Sequence, residues 1–134
     1  MTMISKETAI QEKLSALFDE LLSKKENIRV QLMETRNTYQ QICEKHILSG
    51  YRLEGEWLEV SDFHQNKFVE YDMHCYLIDI LSDYRNIEGF FPEYQDMMDT
   101  LDMLMLRFAG EERYELAAII KAWLVRFNET VEKS

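Results

Sequence analysis

Residues 8–46 read TAIQEKLSALFDELLSKKENIRVQLMETRNTYQQICEKH. Within them Leu14, Phe18, Leu21, Lys25, Ile28, Leu32, Thr35, Tyr39, Ile42 and His46 follow one another at alternating gaps of four and three. That spacing places all ten on one stripe of an α-helix. No Pro or Gly occurs between Ile4 and Ser49 to break it. The pattern predicts a helix over 8–47, and a helix of that length spans roughly 60 Å at about 1.5 Å per residue. The rest of the chain is too short to cover it with helices of equal length. Part of the stripe is therefore expected to face a second copy, another protein or solvent. Ser23–Lys24–Lys25–Glu26–Asn27 interrupts the apolar run, marking either a change of contact or a mild bend. Thr8 with Gln11 makes a capping box, and Glu20 with Lys24 an i,i+4 ion pair.

Downstream of this helix, Ser49–Gly50 is the expected stop. Residues 50–60 fit a helix poorly and read as an irregular loop with Trp57 plugged into the bundle end, or as a small hairpin around Gly55. Three shorter helices follow, over 61–84, 92–108 and 111–132. In the second, Phe68, Tyr71, Cys75 and Ile78 share a face that Phe63, Tyr76, Leu77, Ile80, Leu81 and Tyr84 broaden. Pro92 suits the first residue of the third helix, and Gly110 its end. Tyr114, Ala117, Ala118, Lys121, Leu124, Val125, Asn128 and Val131 lie on or near one face of the fourth. The short link between the last two predicts an antiparallel pair. The expected fold is all-α and a single domain over 1–134: one long N-terminal amphipathic helix with three shorter helices packed as a bundle.

The 134 residues carry a formal charge of −10, unevenly placed. Residues 1–49 balance seven acidic against seven basic side chains, whereas residues 50–115 hold sixteen acidic against five basic. Such a middle segment repels nucleic acid and anionic membranes and steers towards a basic partner. No apolar run approaches the length needed to span a bilayer. The N-terminal residues lack the pattern of a secretory signal. Two cysteines, Cys43 and Cys75, both in helical pattern, read as small buried hydrophobes in a reducing compartment, so a cytoplasmic location is expected.

The residues that could carry chemistry do not form a recognisable centre. No Glu or Asp is followed by His at i+3, the ligand spacing of di-metal carboxylate bundles, and Glu70 with His74 is spaced at i+4. Cys43 with His46, beside His74 and Cys75, supplies thiols and imidazoles without the convergent set of four that zinc requires. The same thiols lack a nucleophile-elbow or oxyanion context. Asp96, Asp99 and Asp102 recur every third residue without the glycine grammar of a calcium loop. No metal or cofactor is expected, and the chain reads as non-enzymatic.

The segment Glu111-Glu112-Arg113-Tyr114-Glu115-Leu116-Ala117-Ala118-Ile119-Ile120-Lys121 resembles, within residues 111–128, the UVR motif, the helical module of the UvrB and UvrC nucleotide-excision-repair subunits. The resemblance implies a helical hairpin for protein–protein contact in which Tyr114, Ala117 and Ala118 pack. The chain departs from the motif's usual Arg-Asp pair, having Lys121–Ala122 followed by Trp123.

The functional expectation is an interaction or adaptor protein that self-associates through the long-helix stripe, chiefly Leu14, Phe18, Leu21, Ile28, Leu32, Tyr39 and Ile42. A second set of interaction residues comprises the acidic Glu54, Glu56, Glu59, Asp96, Asp99 and Asp102, with Trp57, Phe90 and Phe91 as aromatic anchors. The alternative is an acidic inhibitor or regulator of a basic nucleic-acid-binding protein, presenting carboxylates where phosphates would sit. A helical-bundle metalloprotein is the third reading.

Overall fold

A computed structural model describes residues 3–133, with side chains from Lys6 onward. Four helices account for nearly all of it: α1 (Met3–Leu48), α2 (Glu54–Asp83), α3 (Tyr94–Gly110) and α4 (Tyr114–Glu132). No strand occurs among the described residues. The all-α expectation and the long N-terminal helix both hold. No helix is long and apolar enough to cross a membrane among the described residues.

Because α1 begins upstream of Thr8, the expected capping box lies inside the helix. Its other end is a Schellman turn. The Tyr51 N–H donates to the His46 carbonyl at 2.8 Å and the Gly50 N–H to that of Ile47 at 3.1 Å. Gly50 takes the left-handed conformation this turn requires, with φ of 72°.

Residues 54–60 are neither loop nor hairpin: α2 starts at Glu54. Two local effects support this start. Glu54 and Glu56 lie in the first turn, where carboxylates favour the positive end of the helix dipole. The Leu53 N–H, which precedes the helix, donates to His46 Nδ1 at 3.1 Å. The Trp57 ring then stacks on His46, with centroids 5.5 Å apart. Those contacts outweigh the helix-propensity cost of Gly55, about 1 kcal/mol.

The chain divides into two compact units. The bundle unit combines Met1–Leu22 with Cys75–Ser134, and the hairpin unit is Ser23–His74. The division falls at the Ser23–Asn27 interruption of the apolar run. In the bundle unit, Leu14, Phe18 and Leu21 of α1 pack in a core with Leu77 and Leu81 of α2, Met97 and Leu101 of α3, and Ile120 and Phe127 of α4. The α3–α4 pair is the expected helical hairpin. Pro92 lies just before α3 rather than in it, and Glu93 is the cap residue. Gly110 is still helical; Glu112, with φ of 62°, makes the left-handed turn that ends α3. The α4 face is rotated from the expected one: Leu116, Ala117, Ile120, Trp123, Leu124 and Phe127 are buried, and Val125 and Asn128 are exposed. Glu20 pairs with Arg126 of α4 instead of Lys24.

In the hairpin unit, α1 and α2 run antiparallel. Side-chain contacts join Gln31 to Lys67, Thr35 to His64, and Cys43 to Trp57. Only Ile28, Ile42, Met73 and His74 are buried there, as befits a core one helix thick on each side. Across both units, none of the ten stripe positions is exposed. The expectation that the stripe outruns its cover fails because α2 begins seven residues before the expected Ser61 and supplies it.

Candidate functional site

The central layer of the hairpin unit is polar and aromatic. Thr35 Oγ1 donates to the Leu32 carbonyl at 3.0 Å, so its contact with His64 Nδ1 at 2.9 Å requires the imidazole N–H to donate. The His64 ring lies parallel to Tyr39 at 5.5 Å. One turn towards the α1–α2 connection, the Trp57 indole N–H donates to Cys43 Sγ at 3.3 Å. The Tyr39 phenol is raised above its ordinary pKa, chiefly by the Cys43 sulfur beside it. His46 accepts through Nδ1 from the Leu53 N–H at 3.1 Å. No hydrogen bond joins it to the Cys43 thiol among the described residues. His74, 3% exposed, places Nδ1 at 2.7 Å from the Glu70 carbonyl, and burial lowers its pKa. The Glu70 carboxylate is held by Lys67 Nζ at 3.1 Å. The Cys43 thiol and the three imidazoles are thus tied into packing, and Cys75 is half-buried. No group of three or more His, Cys, Asp or Glu is placed to hold a metal ion among the described residues.

The structure sorts the expected interaction residues into core and surface. Leu14, Phe18, Leu21, Ile28 and Ile42 are buried within the chain, and Leu32 and Tyr39 half-buried. Phe91 is fully buried and cannot anchor a partner, whereas Phe90 is exposed. Trp57 is half-buried against His46. The six acidic residues are all exposed, but Glu54, Glu56 and Glu59 belong to the hairpin unit and Asp96, Asp99 and Asp102 to the bundle unit. Of the latter, Asp96 and Asp99 join Glu93, Tyr84, Thr100 and Met103 around a hollow of about 410 Å³. Among the residues that resemble the UVR motif, Ala117 is buried, while Tyr114 and Ala118 are exposed.

Large apolar side chains are exposed on the two flanks of the hairpin unit, among them Phe63 and Phe68, which the sequence places on the apolar face of α2. Met33 of α1 is 55% exposed and Phe68 of α2 is 49% exposed. By helical spacing and the antiparallel register they lie level on one flank, with Ile47 and Leu58 further along it. Phe63, 60% exposed, occupies the opposite flank beside Glu34 and Thr38. The half-buried line of α2 facing α1 runs through Trp57, His64, Lys67 and Tyr71, and its two polar residues shift the apparent apolar face towards Phe63 and Phe68.

No protein-family model, curated protein or solved structure matches this chain.

Proposed function

We propose that this is a non-enzymatic interaction protein that self-associates through its hairpin unit. The observation that carries the reading is the row of exposed apolar residues on one flank of a single helical layer: Met33, Ile47, Leu58 and Phe68. A two-helix layer closes a full core when a second layer covers it, as in a four-helix bundle. In a two-fold pair the same flank meets itself, and Arg36 of α1 and Asp72 of α2 supply charges of both signs along it. The face is not the stripe of α1, which is occupied within the chain. Sedimentation velocity on the full chain tests this. A dimer that Met33→Glu with Phe68→Glu converts to a folded monomer supports it, and a monomer at every concentration up to high micromolar overturns it.

A second reading, a regulator of a basic nucleic-acid-handling protein, is favoured by the α3 hollow. Glu93, Asp96 and Asp99 surround it, and none of them makes an ion pair among the described residues. Capture of such a protein that is lost on raising salt supports it, and salt-insensitive capture counts against it.

A further inference from the structure

The flank of the hairpin unit that carries Phe63 is a groove of about 390 Å³, lined by Glu34, Thr35 and Thr38 of α1 and by Glu59, Val60 and Phe63 of α2. We propose that this groove docks a basic amphipathic helix of a partner protein, with an apolar side chain on Val60 and Phe63 and flanking Lys or Arg side chains on Glu34 and Glu59.

Three observations define the occupant. The floor is apolar, and Phe63 is 60% exposed, a large ring left in water. The polar lining offers acceptors alone. Thr35 Oγ1 spends its proton on the Leu32 carbonyl, and Thr38 Oγ1 spends its own on the Glu34 carbonyl at 3.1 Å. Both carboxylates are exposed, and neither forms an ion pair among the described residues. A groove of acceptors and negative charge selects a ligand that brings donors and positive charge.

The shape selects a helix. Two antiparallel helices present a furrow that a third fills with residues at i, i+3, i+4 and i+7. A second copy of this chain does not fit, because a two-fold contact here brings Glu34 and Glu59 against their own equivalents. The groove lies on the flank opposite Met33 and Phe68, so this docking stands apart from self-association.

The test uses the full chain and a synthetic Leu/Lys peptide patterned as an amphipathic helix, with a Leu/Glu peptide of the same pattern as control, read by fluorescence anisotropy. The Leu/Lys peptide binds and the Leu/Glu peptide does not. Phe63→Ser weakens binding about tenfold, and so does Glu34→Lys with Glu59→Lys. Asp96→Lys with Asp99→Lys makes the same charge change on α3 and leaves binding within about twofold, as does Phe68→Glu. Equal weakening by the α3 pair assigns the binding to overall charge and overturns the proposal. Indifference to Phe63→Ser, or no binding at high micromolar peptide, overturns it as well. A failure of self-association moves none of these readouts.

Discussion

Gln11 and Phe91 hold each other by a reciprocal pair of hydrogen bonds. The Phe91 N–H donates to Gln11 Oε1 at 2.6 Å, and Gln11 Nε2 donates to the Phe91 carbonyl at 2.9 Å. Phe91 is a loop residue with no exposed surface, so its peptide groups have no water to turn to. The side-chain amide of α1 supplies what a neighbouring strand would otherwise supply. Phe18 meets the Phe91 ring edge-on at 5.8 Å, and the Arg85 guanidinium lies 4.8 Å over Phe18.

Gln11→Leu therefore costs far more than its nearly equal volume suggests. Two buried peptide groups lose their partners, a penalty of about 2–4 kcal/mol. Gln11→Glu does not rescue it, because a carboxylate has no donor for the Phe91 carbonyl. Urea unfolding followed by circular dichroism reads the effect as a lower midpoint at unchanged slope.

The end of α3 asks for a different residue from the one it has. Glu112 sits at φ of 62°, with the Arg113 N–H donating to the Phe108 carbonyl at 2.8 Å and its own N–H to that of Ala109 at 3.1 Å. Glycine is favoured at that Schellman position. Gly110 is helical, and a Cβ there meets nothing within 4 Å. Gly110→Ala and Glu112→Gly each stabilise by about 0.5–1 kcal/mol. Together they raise the thermal midpoint by several degrees. Gly50→Ala does the reverse, since φ there is 72° and the turn that ends α1 needs it.

His74 makes stability depend on pH in the acid direction. Burial lowers its folded pKa below the ordinary value of 6.5, although the Glu70 carbonyl opposes the shift. Between the folded pKa and 6.5 the unfolded chain binds more protons than the folded one, so stability rises with pH there. The contribution is complete above the unfolded value and is lost as pH falls from it through the folded value. His74→Gln keeps a donor for the Glu70 carbonyl and removes the titration. Unfolding midpoints measured from pH 5 to pH 8, about the range over which histidine charge changes, show a flatter profile for the variant; an unchanged slope would contradict the assignment.

The start of α2 rests on one imidazole. His46→Phe keeps a ring under Trp57 but removes the acceptor for the Leu53 N–H, at a cost of about 1 kcal/mol. Gly55→Ala works in the opposite sense, because a Cβ there meets nothing within 4 Å and the helix gains propensity. Hydrogen exchange of the first turn of α2 reads both, faster in the former and slower in the latter.

The fold was legible wherever periodicity and apolar content agreed. The stripe from Leu14 to His46 specifies α1, the Ser23–Asn27 interruption marks where one compact unit gives way to the other, and the Ala109–Gly110 link predicts the α3–α4 pair. These are local properties of a chain with few helix breakers. Propensity and 3.6-residue spacing are written into neighbouring residues and need no partner to be read.

What covers each helix was decided only in three dimensions. Residues 54–60 look weakly helical because Gly55 is there, and they fold as helix because Trp57 finds His46 and the Leu53 N–H finds an imidazole on α1. Those seven added residues, about two turns, cover the His46 end of the stripe, so the stripe is not a free surface. Phe91 looks like an exposed anchor beside Phe90, and it becomes core because Gln11 lies eighty residues away in sequence and 2.6 Å away in space. On the flanks of the hairpin unit, by contrast, Met33, Phe63 and Phe68 stay exposed. Which flank residue stays in water depends on pairwise contacts such as Thr35 with His64, and those lie between helices rather than along one.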